Sequence, residues 1–434
     1  MAQFRKDIHK YLNDGKTIFE VMMLADQYGN LVGPANPSGT AVDAFGRART
    51  SSPLTLFDSS HRYRDNGLWA TSTATGGSTA FLSNEGCIGL TVDTTANAEV
   101  VRETYKVFAY QPGKSLQILN TFVFEPAKAN LRQRLGYYGA QNGIYVELDG
   151  TTLNFVKRSS VSGSLQETRV AQASWNVDKM DGTGPSQLTL DISKAQIFWM
   201  DIEWLGLGSV RMGFVINGQL IHCHTFHHAN LITTPYITTA CLPLRYEIKN
   251  TAATATASTL RQVCSTVISE GGYQLQGMQK SAGTAITAAY GLSATPGTFS
   301  PVVSIRLKAD ALDAISILSA LSLMGVGNGK NFEWRVTSGA TVTTTAWTSA
   351  GTDSAVEYTT TGTAVTGGKI LASGFFNSSN QSTPTISIPK DALFKFQLER
   401  NGLTSAPLPI TLEVAAATAS ESVFASLDWE EVTR

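Results

Sequence analysis

Side chains that alternate with a period of two, joined by dipeptides that suit only the tightest chain reversals, constrain this sequence more than any other feature. Gly143 to Leu148 (GIYVEL) and Leu153 to Lys157 are separated by Asp149-Gly150. Val210 to Ile216 and Gln219 to Phe226 are separated by Asn217-Gly218. Asp-Gly and Asn-Gly accept the positive φ of a two-residue turn whose twist matches paired strands, so each stretch reads as a β-hairpin. Leu116 to Phe124 and Phe198 to Leu205 (FWMDIEWL) alternate in the same way. The fold class that follows is all-β: an extended N-terminal arm, an antiparallel jelly-roll sandwich and a second, C-terminal β-sandwich.

Segments with helical character are few. Phe4 to Leu12 has the spacing of a short amphipathic helix ended by Asn13, Asp14 and Gly15. Ala311 to Met324 fits a strand and a helix equally and stays open. Composition sets the boundaries. Residues 1–70 form the arm and docking segment. A Thr/Gly/Ser stretch, Thr71 to Thr79, leads into residues 71–272, and Gly271-Gly272 precedes a second domain, residues 273–434. In the latter, Val302 to Leu307, Phe332 to Val336, Thr385 to Ile388, Leu393 to Leu398 and Ile410 to Val414 read as strands separated by polar loops. No short-period repeat is visible, which argues against a solenoid or propeller.

The 434 residues are 42% hydrophobic and only 15% charged, with a net charge of −1. So balanced a chain has no long-range field for nucleic acid or an anionic membrane. The start, MAQFRKDIHKYLNDGK, lacks the apolar core of a secretory peptide, and the longest apolar-leaning run, Ala311 to Val326, is too short to span a bilayer. These features lead one to expect a chain made in the cytoplasm, without membrane insertion. Cys87, Cys223, Cys241 and Cys264 are far apart, with no CxxC pair, and read as small buried hydrophobes.

Asp43 to Asn66, DAFGRARTSSPLTLFDSSHRYRDN, interrupts the pattern. It is basic and aromatic, with neither a helical stripe nor sustained alternation. Arg and aromatic anchors dominate binding at protein interfaces. The segment therefore reads as docking through Phe45, Arg47, Arg49, Leu54, Phe57, Arg62 and Tyr63, the alternative being that it folds back on its own chain. On the docking reading, removing residues 1–66 leaves a folded β-protein.

This arm, together with GIYVELDGTTLNFVKRSSVSG, the loop DGTGPS at Asp181 to Ser186 and the strands IFWMDIEWLGLGSVRMGFVINGQLIHCHTFHHAN, resembles a family of virion structural proteins of tailed bacteriophages, especially marine and cyanobacterial phages, over roughly residues 40–272. The strand pair around Asn217-Gly218 is also similar to the concanavalin-like jelly roll of lectins. The resemblance implies a structural component of the virion, in the tail, collar, fibre or a head appendage, made in the host cytoplasm. Its partners would be other virion proteins and copies of itself in a trimer or ring.

Direct chemistry is sparse. His222 and His224, two residues apart on a strand, face one side and offer two imidazoles to a metal, with Cys223 pointing away; the sequence nominates no metal site beyond that pair and no cofactor. There is no GxSxG elbow. Asp201 and Glu203 share one strand face in the manner of paired glycosidase acids, but strands covered on one side present such residues to solvent routinely, and the expectation is that the protein is not an enzyme. A glycan-binding, host-recognising role is the alternative to a purely structural one, with Trp334, Trp347 and Tyr358, aided by Asn377 and Asn380, as the aromatic platform for a host-surface glycan. Glycan cleavage through Asp201 and Glu203 is the second alternative.

Overall fold

A computed structural model of the chain describes residues 10–11, 18–19, 52–344, 346–378, 385–387 and 394–433. The chain divides into two compact units, Met1–Ser52 and Pro53–Arg434. In the first, strand β1 (Lys10–Tyr11) pairs antiparallel with β2 (Ile18–Phe19). The end of the expected N-terminal helix is thus extended, and the turn formers Asn13, Asp14 and Gly15 fall between two paired strands. Asn, Asp and Gly favour chain reversal as readily as a helix stop.

The second unit opens with β3 (Leu54–Ser60), β4 (Trp69–Ala74), β5 (Gly77–Leu82), β6 (Cys87–Val92), β7 (Glu99–Thr104), β8 (Leu116–Val123), β9 (Leu131–Tyr138), β10 (Gly143–Asp149) and β11 (Thr152–Ser159). It continues with β12 (Gln166–Ala171), β13 (Gln196–Ile202), β14 (Val210–Ile216), β15 (Gln219–Phe226), β16 (Leu244–Asn250) and β17 (Ser258–Ser269). They form two antiparallel sheets, ordered β12-β11-β10-β9-β16-β7-β4 and β15-β14-β13-β8-β17-β6-β5. Both hairpins stand as the sequence reading has them. Asp149 pairs with Thr152 around Gly150 at φ 59°, and Ile216 pairs with Gln219 around Asn217 at 52° and Gly218 at 77°.

Inward-facing residues of both sheets share one core. Phe155 of β11 lies 5.8 Å from Phe198 of β13 and 6.0 Å from Phe214 of β14, measured between ring centres, and stacks on Trp175 at 4.1 Å. Three of the four cysteines are buried. Cys264 is exposed, because a bulge after Gln262 resets the phase of β17 and turns it outward.

The docking segment divides at the unit boundary. Phe45, Arg47 and Arg49 lie outside the described residues. Residues 54–60, in contrast, are a strand of the sandwich, β3 against β17. Phe57 is a core residue, 4.9 Å from Phe108 and 6.1 Å from Trp69, so it has no free ring to dock with. The following turn is fastened by Asp65, whose carboxylate accepts two bonds from the buried Arg102 guanidinium at 2.7 and 3.0 Å. Such paired, charge-assisted bonds are among the strongest available to side chains. This half of the segment folds back on its own chain, since its apolar positions match an open place beside β17. Leu54 is partly exposed, and Arg62 and Tyr63 project from the turn, with the guanidinium 5.1 Å from the ring centre.

Beyond residue 273 lies a second sandwich with its own core. One sheet contains Met278–Gly283, Ser422–Thr433, Ile315–Gly325 and Thr385–Ser387. The other runs Thr348–Ser349, Val356–Thr359, Ser300–Leu307, Ile410–Ala416, Asn331–Ser338 and Lys369–Asn377. The ambiguous stretch from Ala311 is a strand from Ile315 onward because the twelve-residue Ser422–Thr433 strand pairs along it. Residues 394–396 make a short helical turn instead of the expected strand, and the segment is tied to the first sandwich. Lys106 Nζ donates to the Phe394 carbonyl at 2.7 Å and Gln397 Nε2 to that of Val107 at 2.6 Å, while Arg400 bridges Glu103 at 2.7 Å and Asp313 at 3.2 Å. Ile315 and Ile317 are buried in the core of the first sandwich, so the two are joined by apolar packing as well as charge. Among the described residues no helix is long and apolar enough to cross a membrane.

Removing residues 1–52 leaves β3, Phe57 and the Asp65 pair in place. Removal of residues 1–66 takes away β3, Phe57 and the Asp65 pair, and is expected to lower stability by at least the ~3–5 kcal/mol of one large core aromatic. Chemical denaturation of the two truncations, followed by tryptophan fluorescence, distinguishes them.

Candidate functional site

Strand alternation fixes two polar faces on the first sandwich, and they differ in what their charges do. On the outside of the seven-stranded sheet, Glu247 (β16), Arg134 (β9) and Glu147 (β10) stand directly opposite one another, as do Arg158 (β11) and Glu167 (β12). Arg134 and Arg169 each donate to Glu147, at 2.6 and 2.7 Å. Arg158 and the Tyr145 hydroxyl both donate to Glu167 at 2.7 Å, and Arg132 to Glu247 at 2.9 Å. Burial alone would raise the Glu167 carboxyl. The Tyr145 hydroxyl and the Arg158 and Arg134 guanidiniums outweigh it and hold the group at about 2. Tyr138 and Tyr145 lie 4.4 Å apart between these charges. Most of the charged groups in this lattice have partners within the sheet, while the Tyr138 hydroxyl and the Nε atoms of Arg132 and Arg245 have no hydrogen-bond partner among the described residues. The sequence signal of the lattice is charge repeated at period two in RQR, YVELD, ETR and RYEIK, which composition alone does not reveal.

The opposite sheet gives the candidate site. Across β13, β14 and β15 the register aligns Asp201, Arg211 and Thr225 in one row and Trp199, Gly213 and His222 in the next. Phe198, Met200 and Ile202 point into the core, so Asp201 points out. Asp201, Arg211, Thr225 and His222 line a cavity of about 700 Å³ with Glu203, Ser209 and His227 from neighbouring loops and Tyr110, Lys114 and Ser115 from the segment before β8. Asp201 is only 6% exposed. Its Oδ2 accepts a bond from Arg211, while its Oδ1 has no partner. His222 Nε2 and the Thr225 hydroxyl are 2.8 Å apart, and burial lowers the pKa of that imidazole. Glu203, one residue beyond the end of β13, accepts the Ser209 N–H at 3.3 Å. The cavity thus brings together the carboxylates Asp201 and Glu203 and one member of the nominated histidine pair.

The other member is elsewhere, which corrects the metal reading. Met212 pairs with His224 and Gly213 with His222, so a β-bulge at Cys223 breaks the alternation. His222 faces the cavity. His224 is buried 4.7 Å from Phe226, receives the Asn176 N–H on Nδ1 and is held by burial at about 4. Among the described residues no group of three or more metal-ligating side chains converges. The sequence signal for this was Gly213, since a glycine inside a strand pattern marks a bulge. A Cβ there would lie 1.9 Å from the Ile221 carbonyl oxygen and 3.0 Å from Trp199 Nε1.

The expected aromatic platform in the second sandwich does not assemble. Trp334 is 6% exposed, because it alternates with Phe332 and Val336 on the core side of its strand. Tyr358 packs against that core. Trp347 lies on the other face, half-buried, with the Arg306 guanidinium 4.0 Å from its ring centre. Asn377 is exposed, and Asn380 is outside the described residues.

No family model and no curated protein matches the sequence. Among solved structures, the chain is similar to the carbohydrate recognition domain of Emp47p, with 10% identity over 53% of this chain and 99% of that one and a TM-score of 0.32. It is similar to a carbohydrate esterase from the Shiga toxin-encoding bacteriophage phi24B, with 15% identity over 50% and 100% and a TM-score of 0.31. It is also similar to the CBM2 module of the evolved Dit of Lactobacillus casei BL23 phage J-1, with 8% identity over 52% and 100% and a TM-score of 0.31. Identity and TM-score are too low to carry a residue's role across.

Gly213→Ala is expected to destabilise the protein by about 2–3 kcal/mol, because the clash falls on backbone that cannot yield, and to shift the His222 imidazole resonances. Chemical denaturation and side-chain NMR read the two effects. An unchanged His222 signal would show that the bulge does not position it.

Proposed function

We propose that the first sandwich binds a glycan in the cavity between Asp201, Arg211 and His222. The observation that carries this is the lining of the cavity, which sets the carboxylates of Asp201 and Glu203, the Arg211 guanidinium, the Lys114 ammonium, two imidazoles and the hydroxyls of Ser115, Ser209 and Thr225 around one space. Pyranose hydroxyls both donate and accept, and a carboxylate–guanidinium pair with neighbouring hydroxyls answers both roles. Binding fits better than cleavage. Glycoside hydrolysis needs one protonated carboxylic acid and one free carboxylate flanking the bond, whereas Asp201 is engaged by Arg211. Glycan-array screening and titration calorimetry on the whole chain test the reading. Asp201→Asn is expected to weaken binding by about 1.5–3 kcal/mol, the worth of a hydrogen bond to a charged group, and no sugar is released. Absence of binding to any glycan and to host cells would reject it.

The particle context is the second part of the proposal, and the sequence resemblance over roughly residues 40–272 favours it. The chain is then a structural component of a phage virion, present in several copies, with Phe45, Arg47 and Arg49 as anchors to neighbouring virion proteins. A surface rich in Thr, Ser and Ala suits subunit contact, since charge is depleted at interface cores. Phage assembled with the chain lacking residues 1–52 are expected to contain none of it, by immunoblot of purified particles. Normal incorporation would remove the arm's role.

A further inference from the structure

Leu205 is 60% exposed, lines the same cavity and has a φ of 40°. A bulky side chain in the left-handed region is a true outlier, and persists only where the surroundings over-determine it. Here they do. The Tyr110 hydroxyl accepts the N–H of both Trp204 and Leu205, at 3.2 and 3.3 Å. Tyr236 N–H donates to the Gly206 carbonyl at 3.0 Å, and His228 Nδ1 to that of Gly208 at 2.6 Å. The loop from Glu203 to Ser209 is thereby fixed with an apolar side chain held in water at the edge of the cavity. Neither local conformational preference nor burial explains a leucine at this position.

On the reading that the cavity binds a glycan, we infer that Leu205 selects an N-acetylated sugar. An acetamido group carries one donor, one acceptor and one methyl. Glu203, two residues before Leu205, offers a carboxylate to the amide N–H. Lys114 offers an ammonium to the amide carbonyl, and Leu205 offers apolar surface to the methyl. A hydroxyl in the same place answers only the polar groups and leaves Leu205 in water. The aromatic face on which sugars commonly rest is absent here, since Tyr110 is buried and Trp199 packs beside His222.

Titration calorimetry on the whole chain, with matched pairs of sugars that differ by acetamido for hydroxyl, tests this: N-acetylglucosamine and glucose, N-acetylgalactosamine and galactose, N-acetylmannosamine and mannose. Wild type is expected to bind the acetylated member of one pair roughly tenfold more tightly, which is about 1.4 kcal/mol. Leu205→Gly removes the side chain and relieves the backbone, so it is expected to abolish the preference while the melting temperature holds or rises. Lost preference with a lowered melting temperature in Leu205→Gly would assign Leu205 to holding the loop and overturn the inference. Binding without preference, or a preference that survives the substitution, overturns the inference and leaves glycan binding standing. If no glycan binds wild type on the array, the glycan reading falls and this inference with it.

Discussion

One displaced residue in one strand governs the geometry of the candidate site. Without the bulge at Cys223, period-two alternation would place His222 and His224 side by side on the outer face. With it, His222 stands beside Trp199 and Thr225 at the cavity while His224 joins Phe226 inside. The backbone tolerates this only because Gly213 has no Cβ to meet the Ile221 carbonyl. Bulges re-aim side chains in this way and recur next to functional sites. Here the device converts a plausible metal pair into one cavity-facing imidazole and one core imidazole.

The distribution of charge is as telling as its amount. With 33 basic and 34 acidic residues in 434, the chain concentrates many of them on one sheet face, in bonds that close on each other. A satisfied buried network adds rigidity and a unique arrangement more than net stability. Glu147 and Glu167 each receive more than one donor, so these two carboxylates are held within the sheet. Across β13–β15 there are fewer charges, and they stand around a cavity. Open space beside the charges, not their density, separates the two faces.

Much of the fold was legible. Asp149-Gly150 and Asn217-Gly218 announced their hairpins because their turn geometry is local, requiring nothing from the rest of the chain. Features set by distant contacts were harder. Ala311 to Met324 had two readings until a twelve-residue partner strand decided between them. Phe57 had the composition of an anchor, and only the position of Phe108 and Trp69 makes it core. Trp334 was nominated as a platform from residue type alone, although its spacing from Phe332 and Val336 already placed it on an inward face. At the candidate site, Asp201 and Glu203 were visible as a pair, yet Arg211, Thr225 and Leu205 were not, since cross-strand register and a positive φ leave no mark in composition.

The joint between the two sandwiches follows from the same logic of satisfied groups. Glu103 is buried, and desolvation raises its pKa against the pull of Arg400 and Arg245. A buried carboxylate of this kind is costly unless its partner is fixed, and Arg400 is fixed in turn by Asp313 and by the Thr104 carbonyl, at 3.2 and 3.1 Å. Because Ile315 and Ile317 enter the first core beside these pairs, separating the sandwiches would strand a charge and expose apolar surface in the same movement. The interface therefore behaves as core, and residues from Pro53 onward form one compact unit.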